Sequence, residues 1–105
     1  MTAPSVPAPP VPAAVDPVAL LDRAYDLSPR VAVRPESFGA LLYHFGTRRL
    51  SFLKDRRLLA AVQALPASAD AREACTAAGI PAAELAPYAR ALAQLAATDM
   101  IQERP

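Results

Sequence analysis

The strongest structural signal in the chain is the segment ALLYHF, GT, RRLSFLK, which covers Ala40–Phe45, the Gly46-Thr47 pair and Arg48–Lys54. Two runs rich in aliphatic and aromatic residues flank the Gly-Thr pair. This spacing is typical of a β-hairpin with a two-residue turn and glycine at the first turn position. The segment therefore predicts two paired antiparallel strands.

The register of this hairpin decides which side chains share a face. A two-residue turn places Phe45 opposite Arg48 and Tyr43 opposite Leu50, and successive side chains on a strand point to opposite faces. We expect one face to be the large-residue core, formed by Leu41, Tyr43, Phe45, Leu50 and Phe52. We expect the other face to be partly solvated, with Leu42, His44, Arg49, Ser51 and Leu53 on it.

Shorter elements are predicted on both sides of the hairpin. Val31–Arg34 predicts a strand that Pro35 stops, because proline cannot donate to a strand ladder. After residue 54 the apolar spacing becomes helical, and the pattern predicts three helices, over residues 55–65, 70–79 and 81–99. Three antiparallel strands followed by three helices indicate an α+β domain that is winged helix-turn-helix-like.

The two ends of the chain carry weaker patterns. Six of the 12 prolines lie in residues 1–17, so we expect this segment to be a disordered, polyproline-like tail and residues 18–105 to form the domain. A short helical turn is predicted within residues 18–27, and residues 101–105 are expected to be a short tail.

Composition excludes several classes of function. The net charge of +1 recruits neither nucleic acid nor an acidic membrane. A single cysteine, Cys75, forms no internal disulfide and no cysteine-based metal centre. No apolar run approaches the roughly 18 residues of a membrane span, and there is no secretory signal pattern. We therefore expect a cytoplasmic protein with no membrane partner, no nucleic-acid partner and no cofactor.

The reactive side chains do not form a catalytic set. His44 has no cysteine, serine or carboxylate near it in sequence, so a structural or binding role is expected, and Cys75 is expected to be buried packing. The three glycines cannot form a phosphate loop. The chain is therefore not expected to be an enzyme.

Residues 48–57 concentrate positive charge. Five basic side chains and Asp55 give this segment +4. Two interpretations stay open: a solvated strand end and helix start, or a basic rim that attracts an acidic partner.

The strand Arg48–Lys54 contains no proline and is last in the sheet, so it is a candidate edge strand with unpaired backbone groups. The third helix carries a flanking row of Tyr88, Ala91 and Leu95, in which the small Ala91 leaves room for a groove. A groove between an edge strand and a helix can accept an extended peptide as an added strand.

Residues 31–54, VAVRPESFGALLYHFGTRRLSFLK, strongly resemble the peptide chaperones of mycofactocin biosynthesis, with residues 38–54 the most specific part. The order of elements is also similar to the wider class of peptide-recognition elements in ribosomal peptide modification, including the pyrroloquinoline quinone chaperone. The resemblance implies a non-catalytic chaperone that binds the leader of a precursor peptide and presents it to a radical S-adenosylmethionine maturase. The residues implied in leader binding are Arg49, Leu50, Ser51, Phe52, Leu53, Tyr88, Ala91 and Leu95.

The main alternative is a winged-helix DNA-binding protein. A recognition helix usually offers several basic or amide side chains to base edges. Residues 82–99 offer Arg90 and Gln94 against Glu84 and Asp99, which favours peptide binding over DNA binding.

Overall fold

A computed structural model describes residues 16–104. Its elements are α1 (Pro17–Leu21), β1 (Tyr25–Leu27), β2 (Val31–Glu36), β3 (Gly39–His44), β4 (Leu50–Leu53), α2 (Arg56–Ala64), α3 (Ala71–Ala77), α4 (Leu85–Ala97) and β5 (Ile101–Glu103). Short 3-10 turns precede Ser68 and Leu85. The α+β class, with a three-stranded antiparallel sheet followed by three helices, is confirmed. The likeness to a winged helix-turn-helix stays a prediction.

The N-terminal boundary differs slightly from the expected one. Asp16 caps α1 by accepting the Val18 N–H at 3.0 Å, and α1 begins at Pro17. Proline is tolerated there because the first helical N–H has no partner within the helix. The rest of the predicted tail, residues 1–15, lies outside the described residues.

A two-stranded ribbon closes the domain and was not predicted. β1 pairs antiparallel with β5, with Asp26 opposite Gln102, so the helical turn ends before residue 25 and residues 101–103 are not a tail. Arg104 secures this ribbon, since its Nη2 donates to the carbonyls of Leu65 and Ser68 at 2.7 Å and of Tyr25 at 3.2 Å. The prediction failed because three residues are too few to establish a strand pattern in sequence.

The first strand of the larger sheet continues through Pro35, which corrects the expected end at Arg34. The Phe45 N–H donates to the Arg30 carbonyl at 2.8 Å. Hydrogen-bonded pairs alternate along an antiparallel ladder, so positions 32, 34 and 36 face β3 and position 35 faces away from it. Proline loses no ladder bond at an outward position of an edge strand.

The predicted hairpin register is confirmed, with Tyr43 opposite Leu50 and Leu41 opposite Phe52. The turn is longer than predicted. The His44 N–H donates to the Arg49 carbonyl at 2.9 Å, so the loop comprises four residues, Phe45 to Arg48, and is centred on the same Gly-Thr pair. The register is unchanged because the loop opens by one residue on each side.

The prediction of which sheet face is the core is wrong. The face expected to be wet is the buried one: Leu42 is 0% exposed, Leu53 2% and His44 5%. The face expected to be the core leaves Phe45, Leu50 and Phe52 more than half exposed. The reason is the direction of the chain after β4, because α2 packs on the side of Ala40 and Leu53.

The helix caps follow the sequence closely. The Asp55 carboxylate accepts the Arg57 N–H at 2.8 Å, and the Asp70 carboxylate accepts the Glu73 N–H at 2.8 Å. Such caps satisfy backbone donors that the first turn of a helix leaves free. The rest of the core includes leucines and alanines of α2 and α4, Leu20 and Leu21 of α1, Cys75 of α3, and Met100 and Ile101.

Candidate functional site

β4 is an edge of the sheet, because the strand order is β2-β3-β4 and β4 pairs only with β3 among residues 16–104. The bond from the His44 N–H to the Arg49 carbonyl fixes the alternation along this strand. Ser51 and Leu53 point their backbone groups towards β3, whereas Leu50 and Phe52 point theirs outward. The described part of the chain provides no hydrogen bond for the outward N–H groups of Leu50 and Phe52.

The opposite edge of the same sheet, β2, offers fewer donors. Its outward positions are 31, 33 and 35. The Val31 N–H donates to the Ser28 carbonyl at 3.0 Å, and Pro35 has no N–H. A blunted edge resists pairing with another chain. The structure therefore leaves β4 as the edge better suited to accept a strand.

Arg49 does not belong to the open part of this edge. Its carbonyl accepts from His44, and its N–H lies 3.3 Å from the Thr47 Oγ1 that accepts it. The neighbouring Arg48 has a φ of 61°, a left-handed conformation that is uncommon for residues other than glycine. Of the five strand residues in the predicted site, only Leu50 and Phe52 direct both backbone groups away from the sheet.

His44 holds the hairpin loop. Its Nδ1 accepts the N–H groups of Gly46 and Thr47, at 2.9 and 3.0 Å. The proton of the neutral ring is thus assigned to Nε2. This bonding explains the four-residue loop, and it gives His44 the structural role that the sequence indicated.

A polar cluster connects the end of β4 to α4. The Tyr88 O–H donates to the carboxylate of Asp55, the residue that caps α2. This hydrogen bond is the largest influence that lowers the pKa of Asp55, and it also raises the pKa of Tyr88. Arg57 lies over the Tyr88 ring, 5.4 Å from its centre, and pairs with Glu84 at 2.9 Å. The cluster fixes α4 relative to the strand edge.

The three helix residues predicted to line the groove differ in exposure. Tyr88 is 7% exposed and Leu95 5%, so neither presents its side chain to an open groove. Ala91 is half-buried. The part that these residues play in peptide binding stays a prediction.

Other candidate chemistry is limited. Cys75 is fully buried, and burial raises the pKa of its thiol, so it fills core space as expected. Across residues 16–104 no group of three or more His, Cys, Asp or Glu side chains could hold a metal ion. The described helices are all too short or too polar to cross a bilayer.

Comparison with known proteins decides the family. A family model described as the peptide chaperone MftB family matches residues 24–102, which include the whole three-stranded sheet and all three helices that follow it. The chain belongs to the peptide chaperone MftB family. No solved structure matches it.

Three curated relatives carry the name peptide chaperone MftB. The relative from Mycobacterium ulcerans is 58% identical over 80 residues, which is 76% of this chain and 73% of the relative. The relative from Mycobacterium tuberculosis is 55% identical over 83 residues, 79% of this chain and 76% of the relative. The relative from Mycolicibacterium smegmatis is 51% identical over 80 residues, 76% of this chain and 78% of the relative. A peptide chaperone is non-catalytic and has a peptide as its partner, which agrees with the roles inferred from the sequence.

Proposed function

We propose that this MftB-family chain binds the leader of the mycofactocin precursor peptide as an added strand along β4 and presents it to a radical S-adenosylmethionine maturase. The observation that carries the proposal is the pair of outward backbone groups at Leu50 and Phe52, which have no partner among the described residues. An extended leader would bond to these groups, and its side chains would alternate between the two sides of the sheet.

The polar cluster supports the same proposal. It ties the N-terminal part of α4 to Asp55, two residues after β4 ends. An anchored helix near the end of the free edge would limit the conformations of the bound leader and favour one register. Tyr88 and Leu95 support α4 from within the core, and the half-buried Ala91 lies between them in sequence.

The chaperone supplies no reactive group to the modification. Its contribution is to order a flexible leader and to raise the local concentration of the precursor near the maturase. Ordering an extended peptide costs conformational entropy, so we expect the affinity to be moderate.

The decisive experiment is a comparison of Phe52→Pro with Phe52→Ala. Both variants lose the exposed phenyl ring, but only proline removes the outward N–H. Isothermal titration calorimetry with a synthetic leader peptide should show that Phe52→Pro binds about tenfold or more weakly than Phe52→Ala.

Urea unfolding serves as the control for this pair. The backbone N–H of residue 52 makes no hydrogen bond to β3, so both variants should stay folded. Equal leader affinities for the two folded variants would falsify strand addition at β4.

A further inference from the structure

The outer face of the sheet is a second feature that points to a partner. Phe38, Phe45, Leu50 and Phe52 are 44%, 63%, 53% and 58% exposed, and the half-buried Tyr43 lies between them. The rings are in contact: Phe38 and Phe52 have centres 6.3 Å apart, and Tyr43 and Phe45 have centres 5.0 Å apart. Contiguous exposed aromatic side chains mark interaction surfaces, because soluble proteins rarely leave them uncovered.

The charge around this face selects the type of partner. Residues 30–57 contain seven basic side chains and two acidic ones. Arg34 pairs with Glu36 and Arg57 with Glu84, both at 2.9 Å, which leaves five basic side chains of this segment without a carboxylate partner among the described residues: Arg30, Arg48, Arg49, Lys54 and Arg56. Arg48 and Arg49 stay exposed beside Phe45. The complementary surface is therefore apolar at its centre and acidic at its rim.

A second copy of this chain fits poorly. In a two-fold interface the same patch meets itself, so the basic loops of the two copies, which carry Arg48 and Arg49, would be brought together. Opposed like charges disfavour such pairing. A different protein with an acidic rim meets no such penalty.

The outer face is also continuous with the β4 edge. Leu50 and Phe52 belong to both, through their side chains and through their outward backbone groups. A leader added along β4 would place alternate side chains next to these two residues and extend the same surface. A protein seated on the outer face would thus contact the bound leader as well.

We propose that the outer face of the sheet, centred on Tyr43 and bounded by Phe38, Phe45 and Arg34, is the docking surface for the maturase. This inference rests on the proposed function, because the maturase is the protein that must meet the loaded chaperone. It adds the location of the interface and the chemistry of the partner: an apolar patch with an acidic rim.

The experiment measures two affinities for the same set of variants. Phe38→Ser, Phe45→Ser and Arg34→Glu alter the outer face without changing the outward groups of β4. Val18→Ser is the matched control, since Val18 is 67% exposed on α1, away from the sheet. The probes are the leader peptide and the purified radical S-adenosylmethionine enzyme of the mycofactocin pathway from the same genome.

We expect the three outer-face variants to bind the leader as the unchanged chain does and to bind the enzyme about tenfold or more weakly. Binding to the enzyme should also weaken with added salt. This weakening should be larger for the unchanged chain than for Arg34→Glu. The Val18→Ser variant should retain both affinities.

Unchanged enzyme affinity in all three variants would overturn the proposal. It would equally be overturned if sedimentation velocity showed the unchanged chain to be a dimer that the outer-face variants break, because the face would then belong to a second copy. Loss of leader affinity by Phe52→Pro is scored separately, so a failure of strand addition is distinguishable from a failure of the docking surface.

Discussion

The two faces of the three-stranded sheet are built from the same strands but differ in burial. The inner face buries Ala40, Leu42 and Leu53 against the helices, whereas the outer face exposes Leu50 and the larger Phe45 and Phe52. In an ordinary domain the larger apolar side chains would be the buried ones. The comparison teaches that side-chain size is a weak guide to burial here, and that the packing of the next helix decides which face is inside.

The largest expected effect is a difference between two leucines of the same sheet. Leu42 is fully buried, so Leu42→Ala leaves a cavity in the core and should lower the free energy of unfolding by about 3 kcal/mol. Leu50 is 53% exposed, so Leu50→Ala should lower it by less than about 1 kcal/mol. Urea unfolding followed by circular dichroism measures both.

This pair is a direct test of the two faces. Both changes delete the same atoms from paired strands, so strand propensity is matched. If Leu50→Ala costs as much as Leu42→Ala, the outer face is covered in the free protein, and the docking surface does not exist as described.

A smaller effect on the free energy of unfolding is expected from the hydrogen bond between Tyr88 and Asp55. Tyr88→Phe removes the O–H and should lower the free energy of unfolding by about 1 kcal/mol at neutral pH. It should also raise the pKa of Asp55, because that hydrogen bond is the main influence lowering it. Carboxyl chemical shifts followed by NMR during an acid titration report this pKa.

The sign of the pH dependence follows from the same shift. Folding lowers the pKa of Asp55. The contribution of Asp55 to the free energy of unfolding is therefore complete above the ordinary aspartate pKa, near 3.9, and is lost as the pH falls through the pKa of the folded state. The unchanged chain should therefore lose more stability than Tyr88→Phe between neutral pH and the acid range. Parallel loss in the two proteins would contradict the role of this bond.

The sequence allowed the register of the hairpin to be predicted, but not the length of its loop or the face that is buried. The Gly-Thr pair fixed the centre of the loop, so the register of Tyr43 against Leu50 was correct although the loop is four residues long. The extra length comes from His44, whose ring accepts two loop N–H groups, and no spacing rule encodes such a bond. Alternation separates two faces but does not say which one meets α2.

The candidate site was predictable to a similar extent. Its place as the last strand of the sheet marked Arg48–Lys54 as an edge strand, and Asp55 was foreseen as a helix cap. The outward direction of Leu50 and Phe52 was not predictable, because it depends on which pair closes the loop. The ribbon of β1 and β5 was missed because its partners are distant in sequence and only three residues long.

The smallest expected effect concerns Arg48, at the loop end of the outer face. Its φ of 61° is strained for any residue with a Cβ, so Arg48→Gly should raise the free energy of unfolding by about 0.5 kcal/mol. The matched variant is Asp99→Gly. Asp99 has a φ of 63° at the end of α4, where glycine is also preferred, so this variant should be stabilised to a similar degree.

The two variants differ in the charge they remove and in their place in the fold. Arg48→Gly removes a positive charge from the basic rim and should weaken binding to the maturase severalfold at low salt, while Asp99→Gly should leave that binding unchanged. If Arg48→Gly is stabilised and binds the enzyme as before, the left-handed arginine is not retained for the partner, and the attraction must come from the apolar centre of the face alone.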